Sequence, residues 1–473
     1  MRTSVLFFIS ITFIFIPLIG KCQFNRLNIA TKNTVDSIVN VHKTTNNWVG
    51  MSVGIVVNGE IAFLDGYGVS NKATGVAANM FSVYRLASVS KTLTAVLTLK
   101  LAQMGMLDLE DFVQQYVPEY PNTLGKSLVK IRHLLANESG IPNYGGCGPC
   151  ASPQNTTART NYINNHGNVY DPVSAIDIFK DQALCFTPGS NYLYTTFGFN
   201  LLAAVIERAS NSSFQEFLFD HITCPMNMPM LQIEYQDRVP YQYEVTGYQY
   251  SGSAGGSTVL SSVSIPDISY KAGGGGLIGS VVDLSLFIQG LVNNNFINDS
   301  MITVMGTDNS ARQNIYTGTS CSHLGTGSSI YGYGTNLTTD MFSNRIYYHG
   351  GNQDKTSTYI RYSPDSKHGV VIMCNTEDIP DRYNLCRDIY YAVFNAPLST
   401  TPAFSPILYT WDVPSSSTHI LPGIYESNYI INSTGKIYNG DTTKLKANEK
   451  ITLSTGFKSF YGSKFQAKVN NCD

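Results

Sequence analysis

The chain has 473 residues, of which 43% are hydrophobic and only 14% charged, with a formal net charge of −2. That balance allows a large core. It supplies neither the basic field that nucleic acid requires nor an acidic tail of the disordered kind, and the length fits roughly two to four domains.

The chain opens MRTSVLFFISITFIFIPLIGKCQ. Arg2 gives a positive start, Val5–Ile19 is an almost unbroken apolar run, and Gly20 and Cys22 are small residues at the −3 and −1 positions before Gln23. This is the pattern of a secretory signal peptide over residues 1–22, and the run is short for a bilayer span. The expectation is therefore a secreted protein, or one of the secretory-pathway lumen, with no stable membrane insertion once the signal is gone. Its loss removes Arg2, Lys21 and Cys22, so the 31 basic residues become 29 against 33 acidic ones and the charge becomes −4. Eight cysteines remain: Cys147, Cys150, Cys185, Cys224, Cys321, Cys374, Cys386 and Cys472. An even number in an oxidising compartment points to disulfides whose pairing is not readable. Glycosylation sequons at Asn137, Asn155, Asn211, Asn298, Asn336 and Asn432 agree with secretion, although Asn137 lies in a stretch expected to pack inside.

Two apolar runs around Asn58-Gly59, in WVGMSVGIVVNGEIAFLDGYG, read as a β-hairpin. Next comes RLASVSKTLTAVLTLKLAQMGM, whose second half is apolar on nearly all sides and reads as a buried helix ending near Gly105. Helical patterns recur at Ala175–Leu184, Phe199–Ala209 and Phe214–His221. RIYYHGG, TSTYIRYS and KHGVVIMCNTE read as consecutive strands, and Asp381–Phe394 as a closing helix. Strands first, helices in the middle and strands last make an α+β domain over residues 23–396, one sheet with a helical part inserted. Residues 397–422 are rich in Pro, Ser and Thr and read as a linker. Residues 423–473 read as a small β-rich extension, and no internal repeat is evident.

Ser88 and Lys91 stand three apart where the buried helix begins, so their side chains share a face. A serine hydroxyl needs a base, and a lysine in an apolar helix has a lowered pKa that suits it to the task. The bare S-x-x-K pattern also occurs at Ser127/Lys130 and Ser433/Lys436, and a capping serine at Ser88 or Ser90 is the plain structural alternative. The remaining motifs decide between them. RLASVSKTLTA, VKIRHLLANESGIPNY, FTPGSNYLYTTFGFNLLAAVIERAS, YKAGGGGLIGSVVDLSLF and YYHGG follow in an order that resembles the serine β-lactamase and penicillin-binding-protein-like hydrolases, in the branch of the class C β-lactamases. The stretches LYTTFGF and SYKAGGG are most similar to the mitochondrial serine β-lactamase-like proteins of animals. The resemblance covers roughly Val35–Phe394.

It implies a β-lactamase/transpeptidase-like fold, an antiparallel sheet flanked by helices with an inserted helical subdomain. It implies Ser88 as nucleophile and Lys91 as its partner. Tyr194 falls at the tyrosine of the family's Y-x-N motif, which relays a proton to the leaving group. His349-Gly350-Gly351 stands in place of the family's K-T-G or H-x-G, with Gly350, Gly351 and Asn352 on the substrate-facing edge. The backbone N–H groups of Ser88 and Asn352 would form the oxyanion hole. Thr196 occupies the third Y-x-N position, where the family's asparagine binds substrate amide and lysine, and this departure makes efficient β-lactam turnover doubtful. No metal or organic cofactor is implied. The expected substrate is a small peptide, ester or lactam, and the family relation leaves oligomerisation open. The rival reading is a secreted scaffold or binding protein that kept the fold without activity.

Three signals carry less. Gly50-Met51-Ser52-Val53-Gly54 matches the G-x-S-x-G elbow, which needs a strand–turn–helix setting, whereas Ser52 reads as lying within a strand. Cys147-Gly148-Pro149-Cys150 sits among loop residues and reads as structural rather than redox-active. Gly274-x-Gly276-x-x-Gly279 has dinucleotide spacing but no preceding apolar strand, so its glycines read as permitting close packing under the site. Asp283 and Ser285 read as helix-opening residues.

Overall fold

The structure is a computed structural model. It describes residues 23–400 except 122, 124, 144–159, 161–170, 229, 235–240, 242, 251–258, 262–266, 308–329 and 354–355. Beyond residue 400 it describes Phe404 and the backbone of short strands from Thr410 onward. The expected signal segment and the Cys147–Cys150 pair lie outside the described residues.

One sheet of eight strands organises the main domain: β1 (Phe24–Asn25), β2 (Gly50–Val57), β3 (Glu60–Gly68), β4 (Ile330–Tyr331), β5 (Asn336–Thr339), β6 (Arg345–Gln353), β7 (Thr356–Ser363) and β8 (His368–Cys374), in the order β1-β3-β2-β8-β7-β6-β5-β4. Every pairing is antiparallel. Asn58 and Gly59 both take positive φ (53° and 78°), the conformation a tight hairpin turn needs, and they join β2 to β3 as expected. β8 pairs with β2, so strands from the two ends of the domain meet in the middle of the sheet.

Among the described residues five longer helices frame it: α1 (Ile29–Asn46), α2 (Ser90–Gln103), α3 (Thr196–Ser210), α4 (Val281–Val292) and α5 (Arg382–Val393). Alternation along β2 sends Met51, Val53, Ile55 and Val57 into one apolar cluster with Val35 and Val39 of α1 and Leu385 and Ile389 of α5. The opposite face meets α4 and, beyond it, a larger cluster containing α2 and α3. Gly54 explains the second glycine of the G-x-S-x-G match. A Cβ there would stand 2.1 Å from Ser285 Oγ, so glycine is what lets α4 lie on the strand. Ser52 is fully buried within β2, where its hydroxyl donates to the Asn79 carbonyl (2.7 Å) and meets Tyr84 Oη at 2.9 Å.

Several boundaries differ from the sequence pattern. The helix expected at Ala175–Leu184 is one α turn at Pro172–Ala175 followed by a 3₁₀ turn at Ile176–Ile178. Asp171 caps it and Pro172 fills the first turn, so the start signal lies earlier than the apolar run. α3 begins at Thr196 rather than Phe199. The segment from Phe214 is α-helical to Leu218 and then widens into a π turn over Phe219–Thr223. Ser280 and Asp283 form a capping box at the start of α4, so Asp283 does open this helix, whereas Ser285, read the same way, lies further along it and is buried against Gly54 of β2. Cys374 and Cys386 are buried, unpaired thiols, so the expectation of disulfides drawn from the even cysteine count does not hold for these two. Both sit in the apolar cluster under α5, where a small thiol packs as a hydrophobe.

The C-terminal extension corrects the reading that the chain has no repeat. Its strands pair in parallel: Thr410–Asp412 with Ile430–Ser433 and then Lys450–Leu453, and Gly423–Ser427 with Thr442–Ala447 and then Lys464–Val469. Lys436–Ile437 pairs with Lys458–Ser459. Partners lie about one rung of chain apart, as in Ile430↔Lys450 and Thr442↔Lys464, which is the backbone pattern of a β-solenoid. Thr410–Asp412 falls inside the stretch expected to be linker, so the pairing starts earlier than the composition shift implied.

Candidate active site

The strand Val83–Arg85 leads into the 3₁₀ turn Ala87–Val89 and then α2. Arg85 anchors this entry through two 2.7 Å bonds to the buried Glu234 carboxylate, while its carbonyl accepts from Thr358 Oγ1 at 3.0 Å. Ala87 is a non-glycine residue at φ 48°, a sparsely populated conformation held immediately before Ser88 by its surroundings. Ser88 is therefore presented on a constrained turn at the start of a buried helix. No side chain caps α2, so the capping alternative for Ser88 and Ser90 is not what the fold uses.

Lys91 is fully buried. Its Nζ reaches three oxygens: Gly274 O at 2.6 Å, Thr196 Oγ1 at 3.2 Å and Ser88 Oγ at 3.2 Å. Burial first, and then the positive charge of Lys271, hold its amine well below the ordinary lysine range. A neutral amine has two N–H bonds and one lone pair. With both N–H bonds directed to Gly274 O and Thr196 Oγ1, the lone pair is left for the hydroxyl proton of Ser88. The Gly274 carbonyl arrives because Gly273 and Gly274 belong to a short helix, Ala272–Gly275, pressed against α3. A Cβ on Gly274 would stand 2.5 Å from Thr196 Cγ2, and one on Gly273 2.5 Å from Phe199 O. The glycines thus serve close packing beneath the site, as the sequence indicated.

Tyr194 and Thr196 enter from the start of α3. Asn137, buried and at φ 57°, accepts from the Thr195 N–H at 3.0 Å, and Asn143 accepts from the Thr196 N–H at 3.0 Å. The Asn137 side chain is inside the fold, consistent with reading that sequon as a packing residue. Lys91 Nζ lies 4.8 Å from the centroid of the Tyr194 ring.

His349 stands on β6 across from them, its ring 6.2 Å from that of Tyr194. Its Nδ1 is 2.8 Å from Gly350 O, an acceptor only, so Nδ1 carries the hydrogen. Nε2 is then an acceptor and takes the Tyr331 hydroxyl at 3.2 Å. Burial, followed by the neighbouring Lys91, pushes the imidazole down to about 3, so the ring is neutral.

β6 packs directly against the nucleophile turn. A Cβ on Gly351 would lie 2.3 Å from Leu86 O and 3.2 Å from Ser88 N, so only glycine admits this approach. The Tyr348 carbonyl accepts from Thr335 Oγ1 (3.3 Å) and Asn336 Nδ2 (3.4 Å), on the β5 side. By alternation the backbone groups of Gly350 and Asn352 share that edge, and the register with β5 ends at Asn336↔Tyr348. The Asn352 side chain serves the fold instead, accepting from Ser357 Oγ (3.0 Å) and the Asp378 N–H (2.7 Å).

Ser88, Lys91, Tyr194, Thr196 and His349 are thus brought together with Gly350, Gly351 and the Asn352 backbone. Sequence reasoning missed Tyr331, Lys271 and the Gly274 carbonyl. Lys271 stood inside the quoted YKAGGGG stretch, and Tyr331 opens Tyr331-Gly332-Tyr333-Gly334, a glycine-spaced aromatic pair just before β5.

Serine and lysine one helical turn apart, beside a strand edge that has no sheet partner among the described residues, are how serine hydrolases of the penicillin-binding and β-lactamase fold present their nucleophile, and that is the class this site defines. The sequence comparisons agree, for the chain belongs to the beta-lactamase family, whose profile matches residues 35–389. Protein flp of Staphylococcus aureus is 25% identical over 358 residues, covering 74% of this chain and 64% of its own length. The human mitochondrial serine beta-lactamase-like protein LACTB is 28% identical over 292 residues, covering 50% of this chain and 52% of its own length. The chain therefore spans less than two thirds of either relative. Among solved structures, the octameric penicillin-binding protein homologue from Pyrococcus abyssi superposes with a TM-score of 0.61 at 21% identity, covering 76% of each chain.

Proposed function

We propose that the protein is a secreted hydrolase that cleaves small esters or peptide amides through a covalent Ser88 ester. The carrying observation is the Lys91 amine, 3.2 Å from Ser88 Oγ, with Gly274 O and Thr196 Oγ1 as its other partners. Lys91 takes the hydroxyl proton as Ser88 Oγ bonds to the substrate carbonyl carbon. The Ser88 and Asn352 N–H groups receive the oxyanion. The bond from that carbon to the leaving group then breaks, and the leaving group takes a proton by way of Tyr194. Water attacks the ester in a second round, the acid is released and Ser88 regains its hydrogen.

Thr196 supports the preference against lactams. Its hydroxyl keeps the contact with Lys91, but a hydroxyl cannot reproduce the two N–H donors and the carbonyl of an asparagine amide. A substrate amide thereby loses one hydrogen-bonding partner, which an ester does not need to the same degree.

The test is mass spectrometry after fluorophosphonate treatment, wild type beside Ser88→Ala, followed by turnover of a p-nitrophenyl ester, a D-aminoacyl anilide and nitrocefin. An adduct on the Ser88 peptide, absent from the variant, and ester or anilide turnover above nitrocefin turnover are expected. Folded protein without an adduct would favour the inactive scaffold.

A further inference from the structure

Arg361 is among the largest fully buried side chains of the described residues, at 1% exposure. It stands on β7, opposite Tyr348 of β6 and Val370 of β8, and alternation turns it, with Tyr359, toward α5. Its Nε and Nη1 find no hydrogen-bond partner, and no ion pair reaches it among the described residues. The Tyr383 ring of α5 lies 5.8 Å from its Cζ and the Tyr390 ring 5.2 Å. Stacking of this kind acts through the faces of a guanidinium, whose N–H bonds lie in the plane and are left without acceptors. The hydroxyl of Tyr359, two residues back on the same face, is likewise buried without a partner. Burial keeps that phenol protonated, although the Arg361 charge pulls the other way, so the hydroxyl is a further donor.

The groups around Arg361 do not supply its counter-charge. Arg382 pairs with Asp378 at 3.2 Å and Arg387 with Asp388 at 2.8 Å. The Asp340 carboxylate accepts from the Phe342 and Asn344 N–H groups and from Asn344 Nδ2, each at 2.9 Å, and from the Tyr390 hydroxyl at 3.3 Å. Burial pushes the Cys386 thiol up to about 12, and it donates to Val370 O at 3.6 Å, so it is no thiolate partner. His368 stands two register pairs away, opposite Ser363 and stacked on Phe394 at 4.9 Å, and its ring brings no negative charge.

A buried cation is costly unless it is paired, and buried donors call for acceptors. We infer that a monovalent halide, chloride in solution, binds between β7 and α5 on the Arg361 guanidinium and the Tyr359 hydroxyl. One negative charge matches the one unpaired positive charge. A spherical ion also accepts hydrogen bonds from any direction, so it needs no fork of the kind a carboxylate meets. Water is the rival occupant: it would satisfy the N–H bonds and leave the charge. The site lies on the α5 side of the sheet. His349, next to Tyr348 on β6, points to the opposite side, toward Ser88, so the ion is separate from the hydrolase centre.

The test is a thermal melt of the full chain in sodium chloride and in sodium gluconate at equal ionic strength, beside anomalous diffraction from crystals grown in sodium bromide. The wild-type midpoint should climb as chloride replaces gluconate, by about 2 °C once chloride stands about tenfold above its Kd. A bromide peak is expected within hydrogen-bond distance of Arg361. Arg361→Met should abolish the chloride response and, in gluconate, melt no lower than wild type, because it removes an unpaired buried charge. Tyr359→Phe keeps the ring and deletes one donor, so it should weaken chloride binding about tenfold, and it keeps the question open to experiment if Arg361→Met fails to fold. Identical wild-type melts in the two salts would assign Arg361 to water and overturn the inference. A chloride response of unchanged strength in either variant, or bromide found only at the protein surface, would overturn it as well. The melt needs no turnover, so failure here is distinguishable from failure of the hydrolase reading.

Discussion

Gly351→Ala is the sharpest test of how the strand edge and the nucleophile cooperate. The added Cβ would lie 2.3 Å from Leu86 O, 3.1 Å from Ala87 Cβ and 3.2 Å from Ser88 N. The first of these is a backbone atom in a turn already held at positive φ, so no side chain can swing aside to relieve the clash. An ordinary contact requires β6 to retreat by about an ångström, and a misplacement of that size in a reacting geometry costs about 100-fold in rate. Overpacking of a buried backbone contact should also cost about 1–3 kcal/mol of stability. Gly350→Ala is the matched control, because its Cβ would meet the Tyr359 ring at 3.3 Å and Arg382 Nε at 3.6 Å, both side-chain atoms. The assay is the second-order rate of fluorophosphonate labelling of Ser88, beside a thermal melt. Labelling of Gly351→Ala at the wild-type rate in a folded protein would refute the claim that β6 and the Ser88 turn form one unit.

Replacing Lys91 by Met should slow Ser88 labelling by about 10²–10⁴-fold. In the wild type, labelling should rise with pH and reach its plateau well below the ordinary lysine range, because the base must be unprotonated and burial lowers its pKa. A rise centred at the ordinary lysine value would contradict the assignment. His349, pushed down to about 3 from 6.5, should add no limb to the rate profile between about pH 5 and 8. Its linkage has the sign of a depressed group: the stability it contributes is full above pH 6.5 and is lost as pH falls toward 3, at up to about 1.4 kcal/mol per unit. Chemical denaturation of wild type and His349→Gln across that window checks it, with the difference expected to shrink as pH falls. Glu234→Ala should destabilise by about 3–5 kcal/mol by stranding the buried Arg85 charge, whereas Arg85→Met with Glu234→Leu should cost less. Equal melting curves for the single and double variants would show that the pair carries no such penalty.

What could be read from the sequence was what local spacing encodes. Ser88 and Lys91 share a helix face whatever surrounds them, Asn58-Gly59 fixes a turn by backbone preference, and Asp283 stands in the first turn of the helix it was read as opening. The Gly274 carbonyl and the Tyr331 hydroxyl became visible only in three dimensions. Gly274 is 183 residues from its partner Lys91, Tyr331 is 18 from its partner His349 with an intervening strand, and no periodicity joins either pair. The C-terminal repeat is a different case. Ser433-Thr434-Gly435 recurs at Ser454-Thr455-Gly456, and Asn439-Gly440 has a counterpart in Tyr461-Gly462, close to the rung length of the parallel register. The signal is present but short, and alternation within each strand is common to parallel and antiparallel pairing. A parallel stack buries its apolar face between rungs, so its strands alternate just as those of a hairpin do.

The position of Lys91 against Tyr194 places their roles in sequence. In the resting site the amine is held neutral, so it can accept the Ser88 proton but lends no positive charge to the tyrosine ring 4.8 Å away. Once the proton has moved, an ammonium stands over that ring while the leaving group still needs a proton. The tyrosine is thus charge-assisted at leaving-group departure and not at attack. A p-nitrophenolate leaves without protonation, whereas an amine does not. Tyr194→Phe should therefore leave the acylation burst with a p-nitrophenyl ester nearly intact and cut amide turnover by about 10²–10⁴-fold. The two rates are read on one preparation, by stopped flow for the burst and by product release for the amide. Equal losses on both substrates would mean that Tyr194 acts at the attack step, and Lys91 would then have to be charged at rest, against its burial.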